Sequence, residues 1–205
     1  MRTKLKTAPT DYPLELDDIK QHLNITVGWT EDDDYLDALL AVATTQAEGF
    51  TRRRFITQTW YYYLDQWPDE DYIVLPYGNL QASPALSVTY TDTDYDDTIW
   101  PATNYNADTN VDPGRVILEY DDTYPTDTLS PENPIVVEYT CGYGDDHTDV
   151  DPMIKHALKI IIGDLYSNRE SIIVGTIHQK MGVIEDLLTR FRLPGTYEGL
   201  QALYK

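Results

Sequence analysis

Between Phe55 and Pro152 the chain has one basic residue, Arg115, and 20 of its 35 acidic ones. That span carries a net charge of 1 − 20 = −19; the rest, with 14 basic and 15 acidic side chains, carries −1. The same span holds 12 of the 17 tyrosines and three of the four tryptophans. So abrupt a shift marks a module boundary better than any single residue. The chain reads as helical sequence, then a Tyr/Asp-rich insert, then helical sequence again. Its 205 residues suffice for one large core or two intimate modules.

The central helix of the helical part is predicted from Asp151 to Arg169. Asp151 can cap the free N–H groups, and Pro152 fits the first turn, where its missing N–H costs nothing. Ile154, Ala157, Leu158, Ile161 and Leu165 recur at helical spacing. Met153, Ile160, Ile162 and Tyr166 widen the stripe until only Lys155, His156 and Lys159 form a clear polar edge. A helix so apolar is wrapped on several sides. Gly163 weakens it, so its use is close approach of another backbone. Upstream, Leu16, Ile19 and Leu23 give a short helix. A longer one starts at Thr30, where Thr30 and Asp33 fit a capping box, and continues through Leu36, Leu39, Leu40, Ala43, Ala47 and Phe50. Arg52, Arg53 and Arg54 follow at its C-terminal end. They are read as dipole compensation and ion pairing with the acidic insert, in preference to nucleic-acid contact.

The insert is predicted to be β. Thr57–Asp65, Tyr72–Pro76, Ala85–Thr91, Arg115–Tyr120 and Ile135–Thr140 read as strands, with a short one at Tyr105. Turns such as Asp112-Pro113-Gly114 and Gly142-Tyr143-Gly144 separate them. The expected fold class is therefore α+β: a helical core of about four helices with an inserted small antiparallel β sandwich or barrel. The expected boundaries are residues 1–54 and 151–194 for the two helical parts, 55–150 for the β module and 195–205 for a tail. Val183–Arg192 reads as the last helix, stopped by Pro194 and Gly195. Ser171–Gly182 is too apolar for a solvated loop, and Ile172, Ile173, Val174 and Ile177 are its candidate partner-contact residues.

No catalytic residue emerges. His22, His147, His156 and His178 lack metal-type spacing with one another or with Cys141. No nucleophile elbow, phosphate loop or dinucleotide fingerprint is present. Asp108, Asn110, Asp112 and Glu119 match positions 1, 3, 5 and 12 of a calcium loop, but Pro113 stands where that loop needs Gly. An Asx-rich hairpin turn is the simpler reading. No metal, cofactor or enzymatic activity is expected. The single Cys141 excludes an internal disulfide and fits a reducing compartment. No apolar run is long enough for a membrane span, and the basic N-terminus lacks the hydrophobic segment of a signal peptide.

The order of features resembles bacteriophage head-tail connector, or neck adaptor, proteins from about Leu14 to Arg192. The residues that carry it are the opening Leu-Glu-Leu-Asp-Asp-Ile-Lys-Gln-His-Leu, then Glu48 to Trp60, Trp67-Pro68, Leu75-Pro76 and Val88-Thr89-Tyr90. Pro113-Gly114-Arg115, Gly142-Tyr143-Gly144, Pro152 to Lys155 and Tyr166 to Glu170 complete the series. The resemblance implies a homo-oligomeric, dodecameric ring beneath the portal protein. Its other partners would be a downstream stopper or tail protein and passing double-stranded DNA, bound without sequence specificity. The implied location is the virion neck, reached from the host cytoplasm during assembly, with no membrane partner. Two departures stand out. Asp94-Tyr95-Asp96-Asp97 replaces the usual Asp-Gly turn, and the tail beyond Pro194 is long. In that tail Tyr197, Leu200, Leu203 and Tyr204 are the expected portal-docking residues, because Tyr197, Leu200 and Tyr204 share one side of a short helix. The alternative from another class is a carbohydrate-binding adhesion module built on the aromatic, acidic insert. An acidic-site hydrolase is a third reading, without a paired-carboxylate signature to localise it.

Overall fold

A computed structural model describes residues 2–169 and 177–193, with residues 177–181 as backbone only. In chain order the elements are β1 (Arg2–Thr7), α1 (Leu16–His22), α2 (Asp33–Thr51), β2 (Gln58–Leu64), β3 (Tyr72–Val74) and β4 (Ser87–Thr91). They continue as β5 (Asp97–Trp100), β6 (Tyr105–Asp108), β7 (Arg115–Leu118), β8 (Ile135–Cys141), α3 (Pro152–Ser167) and α4 (Ile177–Thr189). The class is α+β, with four helices and antiparallel strands in two sheets among the described residues. The chain divides into a helical unit, Pro9–Ile56 with Tyr143–Arg192, and a β unit that joins Met1–Ala8 to Thr57–Gly142.

In the helical unit α3 is the central element. The Asp151 carboxylate accepts the Met153 N–H at 2.8 Å, and Pro152 occupies the first turn, as the sequence requires. Ile154, Ala157, Leu158 and Ile162 are fully buried and share a core with Ile19, Leu36, Leu40, Ala43 and Phe55. Each large side chain so placed contributes roughly 1.5–3 kcal/mol. Gly163 serves a purpose other than backbone approach. A Cβ there would meet the His22 and Leu23 side chains at 3.6 and 3.7 Å, ordinary contact distances.

The start and end of α2 differ from expectation in instructive ways. The helix begins at Asp33, not Thr30; the Asp33 N–H donates to the Thr30 carbonyl at 3.3 Å in a preceding turn. The carboxylate that a capping box would use instead pairs at 2.6 Å with Lys20, which is almost wholly buried. A buried ammonium needs a counter-charge more than a helix start needs a second cap. At the other end Arg52 adopts φ 60° and closes the helix through its N–H to the Glu48 carbonyl. Glu48 is enclosed and accepts the Phe55 N–H at 2.8 Å and the Arg54 guanidinium at 3.2 Å. Desolvation dominates, so its carboxyl is pushed above the ordinary value near 4.5 despite those bonds.

The sign of the pH effect follows. A group whose folded pKa is raised contributes stability below its unfolded pKa and loses it as pH rises through the folded value. Relative to the wild type, Glu48→Gln should therefore gain stability as pH rises from below 4.5 toward neutrality. Urea unfolding of both proteins across that range measures the difference, and a difference that does not change with pH would contradict the raised value.

The β unit holds a five-stranded sheet, β1-β2-β8-β4-β5, and a three-stranded sheet, β3-β7-β6. Register sets the inner faces. Tyr62 opposes Val137, and Val88 opposes both Val137 and Trp100, so one row of the larger sheet points inward. Ile73, Tyr105 and Val116 from the smaller sheet join the same core. Gly114 lies so close to Leu80 that any Cβ would overlap its side chain, which accounts for glycine in the Asp112-Pro113-Gly114 turn.

Two strands were not legible. The sequence puts residues 2–7 with the helical part, but they form β1, an edge strand on β2. It has no apolar face to reveal it: Arg2 and Lys6 lie over the outer face and pair with Asp65 and Glu138. Charged edge strands of this kind resist further sheet growth. β5 is short and opens on Asp97 within an acidic loop, so it gives no β signal until Ile99.

Candidate interaction surfaces

The residues with chemical potential are dispersed. Asp108 pairs with Arg115 at 3.1 Å, Asp112 accepts the Asn79 N–H at 3.1 Å, and Glu119 takes the Asn106 amide. The calcium-loop pattern is thus the Asx-rich hairpin, with Asp108 accepting the Asn110 N–H at 3.1 Å. Desolvation works to raise the Asp108 pKa, but the Asn110 N–H and the Arg115 guanidinium outweigh it and hold the carboxyl below its usual range. Cys141 is wholly buried in the β core, where a thiol behaves as a small apolar group. Among the described residues Asp11, Asp146 and His147 bring ligand-type atoms within 4.8 Å of one another. Local structure accounts for them: Asp146 caps a short turn by accepting the Thr148 N–H at 2.7 Å, and His147 stands 3.3 Å from Asp146 and 3.5 Å from Glu15.

Trp67, Trp100 and the tyrosines packed with them in the insert are packing groups. Trp67 stacks on Tyr124 at 4.9 Å between ring centres, and Trp100 lies 5.4 Å from Trp67 and 4.9 Å from Tyr105. Trp100, Tyr105, Tyr62 and Tyr139 are buried, and the Tyr139 hydroxyl donates to the Pro76 carbonyl at 2.5 Å. A sugar platform needs such rings at the surface, so this geometry does not support the carbohydrate-binding reading.

The three arginines have inward roles. Arg53 is buried and its Nε donates to the Phe191 carbonyl, Arg54, just past the end of α2, pairs with Glu48 in its last turn, and Arg52 forms the helix end.

Of the expected partner-contact residues, Ile172, Ile173 and Val174 lie outside the described residues, as do Tyr197, Leu200, Leu203 and Tyr204. Ile177 opens α4, which starts six residues earlier than the sequence reading of Val183. What the structure adds is an apolar groove of about 400 Å³ where α2, α3 and α4 meet, lined by Ala47, Phe50, Ile161, Leu165, Ile184 and Leu188. Leu165 is therefore half-buried at an opening, not sealed in the core. Exposed apolar side chains cluster elsewhere too: Val27 and Trp29 between α1 and α2, and Tyr95 and Ile99 on the β4–β5 hairpin.

Residues 13–94 match the family model described as phage gp6-like head-tail connector protein. The match spans 82 of the 205 residues of the chain. The chain also shares its fold with solved chains. One, from the neck of an empty gene transfer agent (GTA) particle computed with C6 symmetry, aligns over 96% of this chain and 97% of its own, with a TM-score of 0.76 at 18% identity. Another, from the neck of the native particle computed with C12 symmetry, gives 0.74 at 17% identity over the same shares. A third, from the virion of the native particle, gives 0.73 at 19%. No curated protein sequence matches the chain.

Proposed function

We propose that this chain is a phage head-tail connector, the structural subunit of a dodecameric ring that joins a phage head to its tail. The observation that carries the reading is the likeness over 96% of the chain to a chain of a neck computed with C12 symmetry, combined with the family match at residues 13–94. The ring sits in the virion neck between the portal protein and a stopper or tail protein, and it is a structural part, not an enzyme. Subunits assemble in the host cytoplasm. The net charge of −20 suits a passage for double-stranded DNA, because a basic lumen would retain the phosphates. The tail, through Tyr197, Leu200, Leu203 and Tyr204, is the portal-docking element. Ser171–Gly182, through Ile172, Ile173, Val174 and Ile177, is a subunit or partner contact.

Electron microscopy of the purified chain mixed with portal rings tests the ring. Coaxial rings on the portal are expected, and a monomer that leaves the portal bare would overturn the reading. Deleting residues 196–205 should abolish co-sedimentation with portal rings. Full-strength binding by the truncated chain would move the docking surface elsewhere.

A further inference from the structure

The β4–β5 hairpin is an acidic finger with a fixed shape. The Asp92 carboxylate accepts the N–H groups of Asp94 at 2.8 Å and Asp96 at 3.1 Å, and the Thr91 hydroxyl donates to Asp97 at 2.6 Å. At its tip Tyr95 is 71% exposed and held at φ 63°. A glycine would hold that conformation without strain. An aromatic ring kept exposed in a strained backbone position, between carboxylates, is a feature that folding alone does not require.

A surface of opposite sign lies on α3. Lys155 and Lys159 stand four residues apart on one helix face, and with Asp18, Pro152 and His156 they line a shallow cavity of about 260 Å³. The two lysines are held in place, Lys155 by the His147 carbonyl at 3.2 Å and Lys159 by the Asp18 carboxylate at 3.1 Å. Two lysines to one carboxylate line the cavity. His22 beside them has its pKa lowered, first by desolvation and then by the charges of Lys159 and His156.

We propose that the Tyr95 hairpin of one subunit docks on the Lys155–Lys159 edge of a second copy of the chain. The contact rests on the ring reading and names one subunit interface within it. Tyr95 fills the cavity beside Pro152 and His156, and Asp94 and Asp96 face the two lysines. Charge complementarity selects this partner. Two β surfaces drawn from a span of net charge −19 repel each other, whereas the α3 edge offers paired cations. Finger and socket are different surfaces, so the contact is heterologous and propagates from copy to copy until a ring closes.

Charge reversal on the full chain tests the contact. Native mass spectrometry, alone and on portal rings, would compare Asp94→Lys/Asp96→Lys, Lys155→Glu/Lys159→Glu and the two combined. Each pair alone should raise the protein concentration needed for assembly by about tenfold or more, because like charges then oppose. The combined variant should restore assembly even though it lacks the Lys159–Asp18 pair. Tyr95→Gly removes the ring and the strain together, so it should weaken assembly without lowering the melting temperature. Tyr95→Cys with His156→Cys should give disulfide-linked ladders of several chains, since the native Cys141 is buried.

Hairpin variants that assemble like a ring-forming wild type would overturn the docking and leave the ring standing. A wild type that stays monomeric overturns both. Rings that persist but lose the portal assign the hairpin to the portal instead, and cross-links confined to single chains assign it to its own subunit; either result ends the proposal.

Discussion

Leu158→Ala lowers the stability of the helical unit by about 2–5 kcal/mol, the cost of a cavity in a core that cannot fully collapse. Leu158 has no exposed surface and shares its core with Ile154, Ile162, Leu36 and Leu40. The expected result is a lower urea midpoint with an unchanged slope. Leu165→Ala on the same helix makes the contrast. Leu165 lines the open groove and is half-buried, so its loss should cost only about 1 kcal/mol of lost burial. Equal losses at the two positions would mean that the groove is closed in solution.

Trp100→Ala is expected to cost about 3–5 kcal/mol, because it removes the ring on which the aromatic core of the β unit converges. Trp100 is 3% exposed, and its ring lies 4.9 Å from Tyr105, 5.4 Å from Trp67 and 5.8 Å from Tyr124. Near-ultraviolet circular dichroism should lose much of its aromatic signal, and thermal melting should shift downward. An unchanged midpoint would place the core of this unit elsewhere.

What the sequence made legible was whatever burial writes into periodicity. α3 was readable to its cap, because Asp151, Pro152 and the Ile154–Leu158–Ile161 stripe each answer a local rule. β2, β4, β7 and β8 were readable because their inner faces repeat every two residues. β1 was not, since an edge strand of Arg2, Lys4 and Lys6 has no apolar face and is defined only by strand partners more than 50 residues away. The start of α2 was misread because Asp33 answers to Lys20, a distant demand that no local pattern encodes. The candidate interface was half legible. Tyr95 showed as a departure from a turn pattern, but its exposure and its positive φ needed the fold.

The placement of β1 also orders events during synthesis. Arg2 pairs with Tyr63, which leaves the ribosome roughly 3–12 s later at about 5–20 residues per second. Lys6 then waits for Glu138 before its charge is met. The helical unit waits longer still, because α1 and α2 precede β2 to β8 and α3 follows them. The nascent chain therefore carries the apolar faces of α1 and α2 uncovered until Leu158 and Ile162 emerge. A ribosome stalled anywhere between Gly142 and Pro152 would have made every described strand while α1 and α2 still lack their core, a state open to chaperones and to aggregation.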